Sequence, residues 1–366
     1  MREILKEGVD SGLTPGGILV YGVDNANIDT IPFGQTETVR PDQAISVTDN
    51  TVYDVASITK LAATTATMIK LVEQGAISVD TRVASLVPEI TVPGADKIRV
   101  DHLLAHSSGF PAHFNFYERI LAGERLGASD VREALLRMVG SSELVYEPGT
   151  ATIYSDLGFI TLGVIIERVT GERLDVAAQR LVFGPLAMTA TGFVDLLATP
   201  AAPRPTPVAP TELCPYRGLV VGEVHDDNTH SAGGICGHAG VFSTAPDLER
   251  LAQAMISAFN GDAGSHFDPR TLRMFATTTV APDKVRVLGF DRPDPKPGVS
   301  QAGDLWPRDG FGHTGFTGTA MWLDPARGRY AILLTNRVHP SRDQLGIKPF
   351  RRRVFDTIIS ATDAAA

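Results

Sequence analysis

Cysteine is nearly absent from this chain. Among 366 residues only Cys214 and Cys236 carry thiols. Two are too few for a disulfide framework, leave room for one bridge at most, and form no C-x-x-C motif. Positive charge is also in short supply, with 33 Lys and Arg against 42 Asp and Glu and a formal net charge of -9. That balance argues against a nucleic-acid partner. The one basic run, Arg351-Arg352-Arg353, is short. No apolar run reaches the length of a membrane span, and no internal repeat is present. The N-terminus, MREILKEGVDSG, has no apolar secretory core. Cytoplasmic residence is therefore the expectation, with periplasmic or extracellular residence if the chain is a mature form.

The remaining composition supports a packed core: hydrophobic residues make up 43% and charged residues 20%. The length suits one large domain or two ordinary ones. GGILVYGVDN (16–25) and IDTIPFGQTE (28–37) read as paired strands. GTAMWLDPARGRYAILLTNR (318–337) reads as two more, turning at Pro325 to Gly328. Phe350, Val354, Phe355, Ile358 and Ile359 share one face of a closing helix. Between the two ends the pattern is mostly helical. SITKLAATTATMIKLVEQG, LGFITLGVIIERVTG and STAPDLERLAQAMISAFNG each carry helical apolar spacing, the first two ending at Gly75 and Gly171. TPAAPRPTPVAP (199–210) is a Pro-rich excursion. The expected fold is α+β: an antiparallel sheet flanked by helices, with an inserted, mostly helical domain. The sheet domain takes residues 1–60 together with 275–366, and the helical domain takes 61–274.

VASITK places Ser57 at the start of the first long helix and Lys60 one turn later. That spacing puts both side chains on one face. Free N–H groups at a helix start favour an alkoxide or oxyanion. A lysine in a dry pocket can serve as a base. The pair is thus a nucleophile and base without histidine, or else a capping serine and a surface lysine. IYSD supplies Tyr154 and Asp156 ahead of the second helix. A phenol beside an ammonium can relay a proton; the alternative is a satisfied tyrosine and a capping aspartate. In DGFGHTGFTGT, residues Gly310 to Gly315 match G-x-G-x-x-G, but a strand follows where a dinucleotide fold needs a helix. The same glycines let backbone approach a ligand closely, with N–H groups for an oxyanion and Thr314 for a substrate carbonyl or carboxylate. HDDNTH (225–230) invites a zinc reading with its two histidines, yet they stand five residues apart and no glutamate follows the first, as H-E-x-x-H requires.

S-x-x-K at Ser57, Y-x-D at Tyr154 and H-T-G at His313 occur in that order. This combination resembles the serine β-lactamase and penicillin-binding protein superfamily. The Tyr-type second motif is similar to the class C β-lactamase branch, with its family VIII esterases and D-Ala-D-Ala carboxypeptidases. VYDVASITK, LLAHSSGFPAH and GHAGVFSTAPDLERLAQAM look like the same branch. The resemblance covers nearly the whole chain. It implies a cofactor-free, metal-free site in a cleft between the sheet and helical parts. Ser57 would be acylated, Lys60 would be its base or proton shuttle, and Tyr154 would activate the serine and then water. The N–H groups of Ser57 and Phe316 would form the oxyanion hole. His313, Thr314 and Gly315 would line the wall, with Asp156 in the pocket. The implied activity is hydrolysis of a small ester, amide or peptide through an acyl-enzyme, as an esterase or D-Ala-D-Ala carboxypeptidase with weak β-lactamase action. A protein that acylates or binds without turnover is the alternative.

Two positions depart from that branch. Asp156 stands where asparagine is usual, and a carboxylate near Lys60 favours the ammonium and weakens it as a base. Either Tyr154 becomes the base or Asp156 turns away to cap its helix. His313 replaces the commoner lysine and, with an ordinary pKa of about 6.5, grips a substrate carboxylate weakly at pH 7. Both changes lean away from β-lactams and towards esters or small amides.

Overall fold

A computed structural model describes residues 1–282 and 285–364. Its main sheet has five antiparallel strands: β1 (Gly16–Val23), β2 (Ala26–Gly34), β3 (Phe311–Thr314), β4 (Ala320–Asp324) and β5 (Arg329–Thr335). They are ordered β2-β1-β5-β4-β3, so a pair of strands from the N-terminal end joins three from the C-terminal end at the β1–β5 seam. β1 and β5 pair in the register Leu19 with Leu333 and Val20 with Ile332. The tight Pro325–Arg327 turn joins β4 to β5, as the Pro-to-Gly signal in the sequence requires.

Period-2 alternation sends β1 residues to opposite faces. Leu19, Ile31, Trp322 and Leu333 pack on one face with Leu5 and with Phe350, Val354 and Ile358. These belong to α1 (Arg2–Asp10) and α5 (Ile347–Ala364). Ile18, Val20, Met321 and Ile332 pack on the other face in a cluster that also takes in α4 (Ala245–Phe259). All seven residues of β5 are buried, as a sheet covered on both faces demands. Each fully buried aliphatic or aromatic side chain contributes roughly 1.5–3 kcal/mol. The same cluster continues into α2 (Ala66–Glu73) and α3 (Asp156–Thr170), through Met68, Ile69, Leu157, Phe159 and Ile165.

Cys214 and Cys236 are both free and buried, so neither supplies a bridge. Gly312 lies inside β3, opposite Trp322. The glycine-rich stretch is therefore strand and turn, not the phosphate loop its letters resemble.

Candidate active site

A short strand, Tyr53–Asp54, leads into the nucleophile position. The buried Asp54 accepts hydrogen bonds from the Ala56 N–H at 2.8 Å and the His225 N–H at 2.6 Å. Ala56 then takes a left-handed conformation, φ 49°, which costs a non-glycine residue on the order of 1–3 kcal/mol. From Thr51 to Ile69 every residue is buried except Ser57. The chain thus holds a strained turn that lifts one hydroxyl out of the core. A helical start follows, wound as a π-helix over Lys60–Thr65 before it becomes α2; such turns recur at functional sites. One turn on from Ser57, Lys60 Nζ donates to Ser57 Oγ at 3.0 Å.

Lys60 is fully buried and makes two further bonds, to Asp156 Oδ1 at 2.7 Å and to the His238 carbonyl at 3.1 Å. Burial favours the neutral amine, but Asp156 and then Tyr154 outweigh it and raise the Lys60 pKa. Burial likewise opposes ionisation of Asp156; the Lys60 charge and the His113 contact prevail and hold its carboxyl below the usual range. Asp156 therefore does not turn away to cap the helix. Ser155 is the N-cap, accepting from the Gly158 N–H, and frees Asp156 to face Lys60 from the first helical position. Tyr154 stands over the same ammonium, its ring centroid 4.8 Å from Lys60 Nζ. Burial raises the phenol pKa while the Lys60 charge pulls it down.

The facing wall is β3 and its turn. Gly315 N–H donates to the Thr319 carbonyl at 2.7 Å. The hydroxyls of Thr317 and Thr319 donate to the carbonyls of Asp54 and Val55 at 2.8 and 2.9 Å. This turn is thereby tied to the strand that delivers Ser57. From α5 the buried Arg351 guanidinium donates to the carbonyls of Gly315 and Thr319 at 2.5 and 2.8 Å. The basic run of the sequence thus has an internal job at its first residue. Phe316 is 51% exposed, with Arg337 4.4 Å over its ring and His225 stacked at 5.8 Å. Among the described residues, the N–H groups of Ser57 and Phe316 donate to no protein acceptor. Thr314 is half-buried at the end of β3.

His313 is buried, 5.9 Å from the Tyr154 ring, with Nδ1 2.8 Å from the Thr314 carbonyl. That contact puts the proton on Nδ1 and leaves Nε2 as a buried acceptor with no partner. Burial lowers its pKa to about 4, against the pull of Asp291. The unfolded chain therefore binds this proton first as pH falls. The stability His313 contributes is present above about pH 6.5 and is lost as pH falls towards 4. Denaturant midpoints measured across that window are expected to slope less steeply in His313→Asn. The difference is at most one proton, about 1.4 kcal/mol per pH unit; equal slopes would contradict it.

Four further groups stand at the site; the sequence marks only His106 among them, in AHSSG, as organising a turn nearby. His106 has φ 55° and lies against Tyr154, its ring tilted and 4.5 Å away, accepting the Ser155 N–H at 3.0 Å. Burial drives its pKa well below the usual value, so it is a neutral plate behind the phenol. Arg286 reaches 4.9 Å from the Tyr154 ring and is paired with Asp291. His113 meets Asp156 Oδ2 at 3.3 Å. Asp226 holds His238 Nε2 at 3.0 Å, behind the carbonyl that Lys60 uses. Their partners lie far along the chain, and no periodicity marks such contacts. His225 and His230 diverge to separate carboxylates, Glu212 at 3.0 Å and Glu223 at 3.1 Å.

The structure thus gathers Ser57, Lys60, Tyr154, Asp156 and His313 around one point, with the turn of Thr314, Gly315 and Phe316 beside it. A hydroxyl bonded to a buried amine, a phenol alongside and free backbone donors nearby are the parts of an acyl-transfer site.

A family model described as "Beta-lactamase" matches residues 1–354. The "Putative D-alanyl-D-alanine carboxypeptidase" of Escherichia coli K12 is 33% identical, over 93% of this chain and 82% of its own length. The "N-acetylmuramyl-L-alanine amidase" of Bacillus subtilis is 32% identical, over 92% of this chain and 80% of its own. The octameric penicillin-binding protein homologue from Pyrococcus abyssi shares the fold, with a TM-score of 0.75 at 21% identity over 98% of this chain and 76% of its own. With its motifs assembled in one site and this match along nearly its full length, the chain belongs to the β-lactamase family.

Proposed function

We propose that this protein is a serine hydrolase that cleaves a small amide or ester through an acyl-enzyme on Ser57. One observation carries the reading: Lys60 Nζ bonds Ser57 Oγ and Asp156 Oδ1 at once, with Tyr154 over it. Ser57 Oγ attacks the carbonyl carbon as its proton passes to the Lys60–Tyr154 pair. The oxyanion is received by the Ser57 and Phe316 N–H groups. The same pair returns the proton to the leaving amine or alcohol as the tetrahedral intermediate collapses. Water then repeats the sequence on the ester and frees Ser57.

Both members of the pair are held in their protonated forms, Lys60 by Asp156 and Tyr154 by burial. The active state is therefore the cluster with one proton removed, and its apparent pKa belongs to the pair. The wall offers neutral His313 where a lysine would grip a carboxylate. The relatives named above both carry an alanine amide in their names. A small peptide or amide at an alanine residue is accordingly the leading substrate class, ahead of β-lactams.

The test is mass spectrometry of intact protein and digested peptides after exposure to an activated ester, a D-Ala-D-Ala peptide and nitrocefin. A transient adduct on the peptide holding Ser57 is expected. Ser57→Ala should lose it and lower kcat/KM by at least about a thousandfold. An adduct elsewhere, or full activity in Ser57→Ala, overturns the reading. A single-equivalent burst without steady turnover supports an acylating sensor instead.

A further inference from the structure

Asp156 has two oxygens, and Lys60 uses only one. His113 lies on the loop before the short Phe116–Leu121 helix and places Nδ1 3.3 Å from the other. The His113 side chain is 43% exposed and that of Asp156 is 18% exposed. Ser57, Lys60, Asp156 and His113 therefore form a row from the nucleophile out to solvent.

The charges around this row come from several elements, among them Arg286, 4.9 Å from the Tyr154 ring and paired with Asp291. His113 faces the carboxylates of Asp156 and Asp226 and the side chain of Asn115. Lys60 faces Ser57, Asp156, the rings of Tyr154 and Phe159, and the His238 carbonyl; the His106 and His313 imidazoles feel its charge. Asp156 also feels His238.

An unopposed carboxylate at 156 works against catalysis twice. It stabilises the Lys60 ammonium, and it disfavours a phenolate at Tyr154. A cation on its far oxygen offsets both effects. We propose that His113 is a positioning residue of the acyl-transfer site: by binding Asp156 Oδ2 it weakens the hold of that carboxylate on Lys60 and eases deprotonation of the Ser57–Lys60–Tyr154 cluster. The proposal rests on the serine hydrolase reading above. His113 touches no substrate and exchanges no proton with one. In turn, the contact with Asp156 raises the pKa of His113, so its charge persists above the ordinary range of histidine.

The test compares pH profiles of kcat/KM on an activated ester for wild type, His113→Gln and His113→Arg. Glutamine keeps a hydrogen bond without charge, and arginine keeps charge at every pH. The acid limb should lie highest for Gln and lowest for Arg, with wild type between. The Gln–Arg separation should be about half a pH unit or more, about threefold in rate below the limb. In an Asp156→Asn background the separation should shrink, because the group at 113 loses the carboxylate that anchors it beside the cluster. Coincident limbs for Gln and Arg with Asp156 in place overturn the proposal. So does a separation that survives Asp156→Asn undiminished. If Ser57→Ala forms the same adduct, the hydrolase reading fails; if Ser57 acylates and the limbs coincide, only the role of His113 fails.

Discussion

Lys60→Met is expected to abolish acylation of Ser57 and also to destabilise the fold by about 3–5 kcal/mol, a loss typical of breaking a buried ion pair from one side. Lys60 is fully buried, and its bonds to Ser57 Oγ, Asp156 and the His238 carbonyl all vanish together. Among the described residues, the Asp156 carboxylate keeps only His113 as a charge-bearing contact within hydrogen-bond reach. Because the Asp156 side chain is 18% exposed, water relieves part of the penalty and the lower end of the range applies. The two consequences separate in the double variant. Lys60→Met with Asp156→Asn removes both charges, so most of the stability should return. Acylation should not, because no amine remains to share the Ser57 proton. Denaturant unfolding and adduct mass on both variants measure the two effects. An active double variant would show that Lys60 serves only to neutralise Asp156.

The second large effect is expected at Gly315. A Cβ there would stand 2.1 Å from Thr319 Oγ1 and 2.5 Å from the Val55 carbonyl oxygen. Both atoms belong to the bonds that tie the turn to the nucleophile strand, and one is backbone. Gly315→Ala must therefore push the turn outward, against the grip of Arg351 on the Gly315 carbonyl. A displacement on the order of 1 Å at Phe316 is enough to lower kcat/KM by about a hundredfold. Overpacking at this point should cost about 1–3 kcal/mol. Gly192→Ala is the control, since its added Cβ meets nothing within 4 Å and should leave Tm and kcat/KM unchanged. Wild-type kcat/KM in Gly315→Ala would show that the close approach is not needed for reaction.

The substitutions at 156 and 313 act together on the pocket. Asp156 adds a negative charge beside Lys60, and buried His313 adds none opposite it. The wall therefore offers a substrate carboxylate no cation at 313.

Some of this was legible before any coordinates. Ser57 and Lys60 meet because they are one helical turn apart, a local fact that holds wherever the helix lies. The pairing of β1 with β2, and the turn between β4 and β5, follow from apolar runs bounded by turn residues. The apolar faces of α3, α4 and α5 follow from their spacing. The direction Asp156 faces was not legible. Ser155 and Asp156 are both good helix caps, and only packing chose Ser155 for the cap and gave Asp156 to Lys60. Nor does an arginine in a basic run announce that it is buried, as Arg351 is. By itself, the sequence determined the motif residues, the order of elements and their amphipathic faces, because these rest on contacts within a few residues. The tertiary structure alone decided the charge balance around Lys60, the neutral state of His313 and the reach of His113. Those depend on desolvation and on polar contacts between distant segments, which leave no periodic trace along the chain.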